Sequence, residues 1–341
     1  MDLAVRVRED FGIPLIGVQP TGLGADARAS LWRGRTADGT TYAVKTSSAP
    51  QPGLVVADFL ARQGVAGVPA PVSTRSGGVT TDHEGGLVSI VPWIDGARAI
   101  DTGLDLQQWR AFGAVLGAVH ATAPAAPLVG GAALLPVDRH DPGVEVGRAR
   151  AFPARLRRAE AAAGDDKVIG ELARLWGESG GDVLAVADLA ESSARSGVWA
   201  AAEPVICHAD PHHGNLLLAG DGDGVWLVDW DDAVLGPREA DLIFVIGGVF
   251  SFAPITPADE QSFFDGYTLA SGGVARADVD ATRLTYYRSV RALTDFLDFA
   301  DDALDLERAA TERADGLRIA HGAVSPEGIV NLALSEAAVG H

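Results

Sequence analysis

The sequence predicts an α+β fold with a small β-rich N-terminal lobe and a large, mainly helical C-terminal lobe. Short β-type segments separated by glycine-containing turns fill residues 15–46. From Asp105 onward, apolar residues recur at intervals of three and four, as they do in amphipathic helices. With 341 residues, 47% of them apolar, the chain is long enough for each lobe to bury a core of its own.

Strands and turns alternate through the N-terminal lobe. Three strands are predicted between Leu15 and Lys45, and the turn "ADG" joins the last two. A short helix is expected over residues 54–63, and the prolines of "GVPAPV" end it. The apolar strand in "GLVSIVPWIDG" then runs into an irregular connector at Pro92.

Helical patterns dominate the remainder of the chain. The first predicted helix begins near Leu106 and ends near His120. Further helices are predicted over residues 148–163, 167–177 and 183–194. β signals return between Glu203 and Trp230, and helical periodicity resumes at Arg238. The predicted organisation is an N-terminal lobe at 1–91, a hinge at 92–96 and a C-terminal lobe at 97–341.

Charge and cysteine content exclude several partners and structural features. A formal net charge of −19 repels nucleic acid and anionic membranes and attracts cationic small molecules. Cys207 is the only cysteine, so the chain has no internal disulfide and no thiolate zinc cluster. The N-terminus is charged where a signal peptide is apolar, and the longest apolar run, 242–255, is too short to span a bilayer. We expect a cytoplasmic monomer or weak homodimer without nucleic-acid or membrane partners.

The candidate catalytic segment is residues 208–215, "HADPHHGN", which contains one of only two asparagines in the chain. Asp210 and Asn215 are five residues apart, and Asp229 follows at the end of the strand "VWLVD". Phosphoryl transfer from ATP requires one carboxylate near a hydroxyl nucleophile, with an amide and a second carboxylate facing magnesium. The pattern therefore indicates an ATP- and magnesium-dependent site.

Lys45 completes this set. It ends the strand "TYAVK", downstream of a glycine-containing turn, and is one of two lysines in a chain with 25 arginines. A lysine here acts as a point charge on the α- and β-phosphates of a nucleotide, a role that the wide guanidinium fork of arginine fills less well. The alternative is an ordinary surface lysine.

These segments resemble the aminoglycoside phosphotransferase family, the small-molecule relatives of protein kinases, and among its members most closely those that modify spectinomycin. The resemblance covers the whole chain and is carried by "HADPHHGNLLL" and "VDWDDAVLGPREADLIF". It implies a bilobal protein-kinase-like fold and the ATP- and Mg²⁺-dependent O-phosphorylation of a small cationic hydroxylated molecule. An aminoglycoside or aminocyclitol antibiotic such as spectinomycin is the expected acceptor, with resistance as the consequence.

The same resemblance assigns roles to the residues of the catalytic loop. It implies that Asp210 is the catalytic base or the group that orients the acceptor hydroxyl. Asn215 and Asp229 would hold magnesium. His208 would support the loop from behind, and Asp241, on the helix that follows, would brace it.

A second group of residues is implied for the nucleotide. Lys45 and the turn glycines Gly22 and Gly24 would contact the phosphates. The carbonyl of Pro92 and the amide of Ile94, in the connector between the lobes, would hydrogen-bond adenine; proline is acceptable there because only its carbonyl is needed.

Two departures from the family pattern concern the phosphate site. The family usually places a glutamate on the first-lobe helix to pair with the lysine. No glutamate occurs between Lys45 and Glu84, and Asp58 is the only acid on the predicted helix. The turn "TGLGADAR" also carries only two of the usual glycines.

Acidic residues are the candidates for binding a cationic acceptor. Asp231, Asp232 and Glu239 cluster after the metal-binding aspartate. Four more acids on a late helix either line the same pocket or form an exposed face: Asp295, Asp298, Asp301 and Asp302.

Other interpretations stay open. The histidines of "HADPHHGN" have nearly the spacing of the metallohydrolase motif His-x-His-x-Asp-His, although that interpretation leaves the lysine, the asparagine and the second aspartate unexplained. A metabolite kinase acting on choline, homoserine or a sugar amine and a non-catalytic nucleotide-binding protein are further alternatives. A protein kinase is disfavoured because no arginine follows His208 and no Ala-Pro-Glu motif occurs downstream.

Overall fold

The computed structural model describes residues 2–21, 29–48, 51–124, 135–220 and 224–339. Contacts divide the chain into two compact units. The first comprises residues 1–137, 205–235 and 261–275, and the second comprises residues 138–204, 236–260 and 276–341. The catalytic segment and the N-terminal residues thus fall in the same unit, and the predicted lobe boundary at 92–96 stays a prediction.

The strands form mostly antiparallel sheets. In the described residues they are β1 Leu15–Pro20, β2 Ala29–Thr36, β3 Thr41–Ser47, β4 Thr80–His83, β5 Gly86–Pro92, β6 Gly96–Arg98, β7 Val205–Cys207, β8 Leu216–Ala219, β9 Val225–Leu227 and β10 Val234–Gly236. The first five form an antiparallel sheet in the order β1-β2-β3-β5-β4. A three-stranded sheet has the order β6-β8-β9, and β7 pairs with β10.

Helices make up most of the rest of the described chain. They are α1 Leu3–Phe11, α2 Pro52–Arg62, α3 Ala99–Thr102, α4 Leu106–Ala121, α5 Gly143–Ala163, α6 Lys167–Ala194, α7 Glu239–Leu242, α8 Pro257–Ala270, α9 Ala281–Leu304, α10 Ala310–Ala323 and α11 Ile329–Val339. Short 3₁₀ helices lie at Gly197–Ala201, His213–Asn215 and Arg276–Asp278. None of the helices in the described ranges is long and apolar enough to cross a membrane.

The core of the first unit includes an element that the sequence did not predict. Helix α1 is capped by the side chain of Asp2 and ends at Gly12, which has φ 74°. Its buried residues Val7 and Phe11 pack with apolar side chains of the sheet, among them Val44, Val88 and Ile90. With nine residues and only two buried positions, α1 gives too short a periodic pattern to be recognised from the sequence.

Helix α6 corrects a second prediction, because residues 167–194 form one helix where two were expected. The expected gap between the two helices, residues 178–182, contains the glycine pair 180–181. Gly180 is buried, and a Cβ there would lie 2.7 Å from the indole of Trp176, one turn earlier in the same helix. The glycine makes room for a large side chain and does not end the helix.

The second unit is a helical assembly built around α9, which packs against α5, α6, α10 and α11. A buried arginine reinforces it. Arg313, 6% exposed, bonds both oxygens of Asp166 at 2.9 Å and donates from Nε to the carbonyl of Ala303 at 3.0 Å. Asp166 also caps the N-terminus of α6, so one ion pair ties together the ends of α6, α9 and α10.

Candidate active site

The catalytic segment connects β7 with the β8–β9 hairpin. β7 is completely buried, and β8 pairs with β9 so that Leu216 lies opposite Leu227. The ladder continues past the strand ends, because the amide of Val228 donates to the carbonyl of Asn215 at 2.9 Å. Asn215 and Asp229 therefore emerge side by side at the open end of this hairpin.

His208 connects the catalytic segment with the residues that follow β9. Its imidazole is fully buried, and Nε2 donates to the carbonyl of Val228 at 2.9 Å. Nδ1 accepts from the amide of Asp210 at 3.3 Å, which fixes the neutral tautomer with the proton on Nε2. The ring also packs edge-on against Trp230, with centroids 4.7 Å apart. These contacts hold the catalytic loop against the segment that follows β9.

Asp210 is held in one orientation by two donors. Its Oδ2 lies 3.3 Å from Nδ2 of Asn215 and 3.3 Å from Nε2 of His212. The amide of Gly214 donates to Nδ1 of His212 at 2.8 Å, so the proton of that imidazole is on Nε2, facing Asp210. The preceding residue, Ala209, adopts φ 67°, a conformation that non-glycine residues rarely take outside functional sites. Sequence reasoning missed His212, whose signal was its place two residues after Asp210.

Asn215 and Asp229 suit a magnesium ion. The amide nitrogen of Asn215 donates to the carbonyl of Asp210 at 2.9 Å, which leaves the amide oxygen as the atom that could bind a metal. Asp229 has φ 65° and a side chain that is 53% exposed. Oxygen donors from an amide and a carboxylate are the ligands that magnesium prefers. The residues therefore fit the metal that the sequence predicts.

Lys45 reaches the same end of the hairpin from β3. Its Nζ lies 3.4 Å from a carboxylate oxygen of Asp229 and 2.5 Å from one of Asp231. Burial alone would lower the pKa of Lys45, but the carboxylates of Asp229 and Asp231 outweigh it and raise the pKa above its ordinary value. The structure thus brings Lys45 together with two aspartates that follow it in the chain by more than 180 residues.

Asp58, the one acid of helix α2, does not hold this lysine. Asp58 lies on α2, and its Oδ2 accepts from Nε of Arg62 at 2.9 Å, one turn further along the same helix. The contacts of Lys45 are made instead by the segment that follows β9.

The predicted adenine-binding connector is fixed to the sheet. Pro92 ends β5, and the amide of Trp93 donates to the carbonyl of Thr41 at 3.1 Å. The indole of Trp93 donates to Asp95 at 3.1 Å. Ile94 lies between these two anchored residues. The predicted phosphate-binding glycines, Gly22 and Gly24, lie outside the described residues.

The acids predicted for the substrate have different environments. Asp231 is paired with Lys45, and Asp232 is exposed. Glu239 is 1% exposed, and one of its oxygens accepts from Arg283 at 3.1 Å and from the amide of Asp280 at 3.0 Å. Because a buried carboxylate bonded to an arginine is a poor partner for an incoming cation, Glu239 is better explained as a structural residue. Asp241, also in the second unit, is fully buried.

The late-helix acids form ion pairs with arginines of their own unit. Asp298 and Asp301 contact Arg148 at 2.6 and 3.1 Å, and Asp301 also contacts Arg155. Asp295 pairs with Arg291, and Asp302 pairs with Arg308. Their negative charge is therefore largely compensated within the helical unit.

The three neighbouring histidines do not form a common metal site. His208 is bonded to the backbone, His212 bonds Asp210, and His213 packs edge-on against Trp109 with centroids 5.3 Å apart. Among the described residues, these three histidines do not converge with other possible ligands on one point. The geometry therefore disfavours the metallohydrolase interpretation.

Comparison with known proteins gives one family and one fold. Residues 21–285 match the profile of the Phosphotransferase enzyme family. No curated protein sequence gives a significant match. Spectinomycin phosphotransferase APH(9)-Ia, solved in complex with ADP and spectinomycin, is 22% identical and superposes with a TM-score of 0.82 over 98% of this chain and 97% of that chain.

Two further structures are more distant. Amicoumacin kinase hAmiN, in complex with AMP-PNP, Ca²⁺ and Ami, is 17% identical, with a TM-score of 0.60 over 92% of each chain. Macrolide 2′-phosphotransferase MphH from Brachybacterium faecium is 17% identical, with a TM-score of 0.53 over 95% of this chain and 97% of that chain. The likenesses confirm the predicted α+β, protein-kinase-like fold.

Proposed function

The chain belongs to the phosphotransferase enzyme family, and we propose that it transfers the γ-phosphoryl group of ATP to a hydroxyl of a small cationic molecule. One observation carries the proposal. Asp210 and Asn215 are hydrogen-bonded to each other at the open end of the hairpin from which Asp229 contacts Lys45. A protein that only bound nucleotides would have no need of an oriented carboxylate beside such a site.

Asp210 acts on the acceptor. With one of its oxygens held by Asn215 and His212, the carboxylate keeps a fixed orientation and accepts a hydrogen bond from the acceptor hydroxyl. As the hydroxyl oxygen forms its bond to the γ-phosphorus, the bond from that phosphorus to the β,γ-bridging oxygen breaks and ADP leaves. Asp210 takes up the hydroxyl proton.

The remaining residues bind the nucleotide and stabilise charge. Asn215 and Asp229 would hold magnesium, which would neutralise negative charge on the phosphate oxygens. Lys45 adds a positive charge to the α- and β-phosphates. Pro92 and Ile94 bind adenine through their backbone groups.

An aminocyclitol antibiotic such as spectinomycin is the acceptor that we propose. The similarity to the spectinomycin enzyme extends over nearly the full length of both chains, and a net charge of −19 favours a cationic ligand. Phosphorylation would place a negative group on the antibiotic, and resistance would follow if its target no longer bound it. The proposed setting is the cytoplasm, with the enzyme as a monomer or weak homodimer. Choline, homoserine and sugar amines are the alternative acceptors.

The test is ADP release by the purified protein with Mg-ATP and a panel of acceptors: spectinomycin, streptomycin, kanamycin, hygromycin, choline and homoserine. Asp210→Asn is the blank and should lower turnover by about 1000-fold or more while ATP still binds. Turnover confined to spectinomycin supports the full proposal, and turnover with another acceptor replaces only the substrate. An Asp210→Asn variant as fast as the wild type would overturn the mechanism.

A further inference from the structure

The side chain of Lys45 is long and flexible, so it needs a partner that holds it in place for the nucleotide. Helix α2 supplies no carboxylate for this role. The side chain is 24% exposed, so part of it is free of packing restraints. The one acid on α2, Asp58, is bonded to Arg62. Asp229 contacts the lysine only at 3.4 Å, and its carboxylate is also needed for magnesium. A second carboxylate is required if Lys45 is to stay in position.

Asp231 supplies that carboxylate. Its Oδ2 lies 2.5 Å from Nζ of Lys45, the shorter of the two contacts that this amine makes with the metal-binding segment. Asp231 is two residues beyond Asp229, so it can remain with the lysine when Asp229 turns to a metal.

The backbone that carries Asp231 is held by a hydrogen bond and by close packing. The indole of Trp230, 4% exposed, donates to the carbonyl of Leu227 at 3.0 Å and packs against His208. Helix α2 lies directly on this segment: a Cβ added to Gly53 would be 1.8 Å from the carbonyl oxygen of Trp230 and 3.0 Å from the amide nitrogen of Asp231. Helix α2 therefore acts on Lys45 indirectly: its backbone packs against the segment that carries Asp231.

We propose that Asp231 is a positioning residue that holds Lys45 for the phosphates of the nucleotide, in place of a carboxylate on α2. This inference rests on the proposed phosphotransferase function and replaces the sequence-based assignment of Asp231 to the acceptor.

The first test needs neither activity nor metal. Because the chain has only two lysines, protein labelled with ¹³C at lysine Cε gives two side-chain signals, and Lys167→Arg identifies that of Lys45. In the unliganded protein, Asp231→Asn should raise the mobility of the Lys45 Cε, measured by relaxation, toward that of the exposed Lys167. The matched control Asp58→Asn should leave it unchanged. An unchanged Lys45 signal in Asp231→Asn, or release of Lys45 by Asp58→Asn, would overturn the proposal.

The second test separates positioning from contact with the acceptor. Asp231→Asn should lower kcat/KM for ATP by about 100-fold, with the KM for the acceptor unchanged. Asp231→Glu, which keeps the charge, should recover at least part of this loss. A rise confined to the acceptor KM would return Asp231 to the substrate site and refute the proposal. If no acceptor in the panel is phosphorylated, the proposed function fails, but the lysine relaxation still decides the role of Asp231.

Discussion

The ion pairs of Lys45 in the first unit and of Arg313 in the second use the same attraction in different geometries. In the second unit Arg313 is almost fully buried, and each end of its guanidinium bonds a different oxygen of Asp166. In the first unit Lys45 brings a single ammonium to two carboxylates at unequal distances. The planar fork of arginine is satisfied by one partner in one geometry, whereas the point charge of lysine can exchange partners. An arginine thus makes the fixed contact, and one of the two lysines of the chain lies at the proposed nucleotide site.

Among changes to these two ion pairs, Lys45→Arg should reduce activity most, because arginine would form a fixed ion pair where lysine can exchange partners. The guanidinium keeps the charge but locks onto the neighbouring carboxylates and misplaces the charge on the phosphates. We expect kcat/KM for ATP to fall by about 100- to 1000-fold without loss of thermal stability. Steady-state kinetics and thermal unfolding measure both. Lys167→Arg is the control, and an active Lys45→Arg enzyme would show that the two residue types are interchangeable here.

Gly53→Ala should weaken the same site through the backbone. The added methyl group would overlap the carbonyl of Trp230, so either α2 or the segment carrying Asp229 and Asp231 has to move. We expect the free energy of unfolding to fall by about 2 kcal/mol and kcat/KM for ATP by about tenfold.

A matched glycine tests this explanation. Gly170 lies on α6 with nothing within 4 Å of the position of an added Cβ. Gly170→Ala should therefore lower neither the free energy of unfolding nor kcat/KM for ATP. Equal losses in the two variants would mean that the contact of Gly53 has no special role.

Arg313→Lys is the opposite exchange and should affect stability alone. Lysine cannot bond both oxygens of Asp166 and the carbonyl of Ala303 together, so at least one of these groups loses its partner. We expect the melting temperature to fall by several degrees while kcat and the KM for ATP of the folded enzyme stay unchanged. A change in the KM for ATP would contradict the separation of the two roles.

The smallest change is expected in the acid sensitivity of thermal stability, to which Asp166 contributes. Hydrogen bonds from Arg313, together with the backbone amide of Ile169, lower the pKa of Asp166 from 3.8 to about 2. The contribution of this carboxylate is therefore complete above pH 4 and is lost as the pH falls toward 2. Melting temperatures from pH 5 to pH 2 should fall less steeply in Asp166→Asn than in the wild type. Parallel curves would show that the pair does not contribute to acid sensitivity.

Much of the site is local in the chain, and that part was predictable. The residue types and spacing of Asp210, Asn215 and Asp229 depend on one loop and one hairpin, which short-range turn and strand signals reveal. The predicted fold class is confirmed for the same reason, because strand alternation and helical periodicity are properties of neighbouring residues.

Predictions that depended on distant contacts were incomplete. The hydrogen bond from His212 to Asp210 needs the turn geometry of the loop as well as its composition. The predicted break in α6 was wrong because glycines alone do not show that a tryptophan packs against one of them. Glu239 looked available in the sequence, but folding buries it against Arg283.

Residue types and spacing were enough to predict the chemical groups of the proposed site: a strand lysine, a loop carboxylate, and an amide and a carboxylate suited to magnesium. Which acid contacts the lysine depended on long-range folding. Lys45 and Asp231 are 186 residues apart, and no local pattern records such a contact. In the folded chain Asp58 pairs with Arg62, whereas Asp231 lies on the segment against which α2 packs at Gly53.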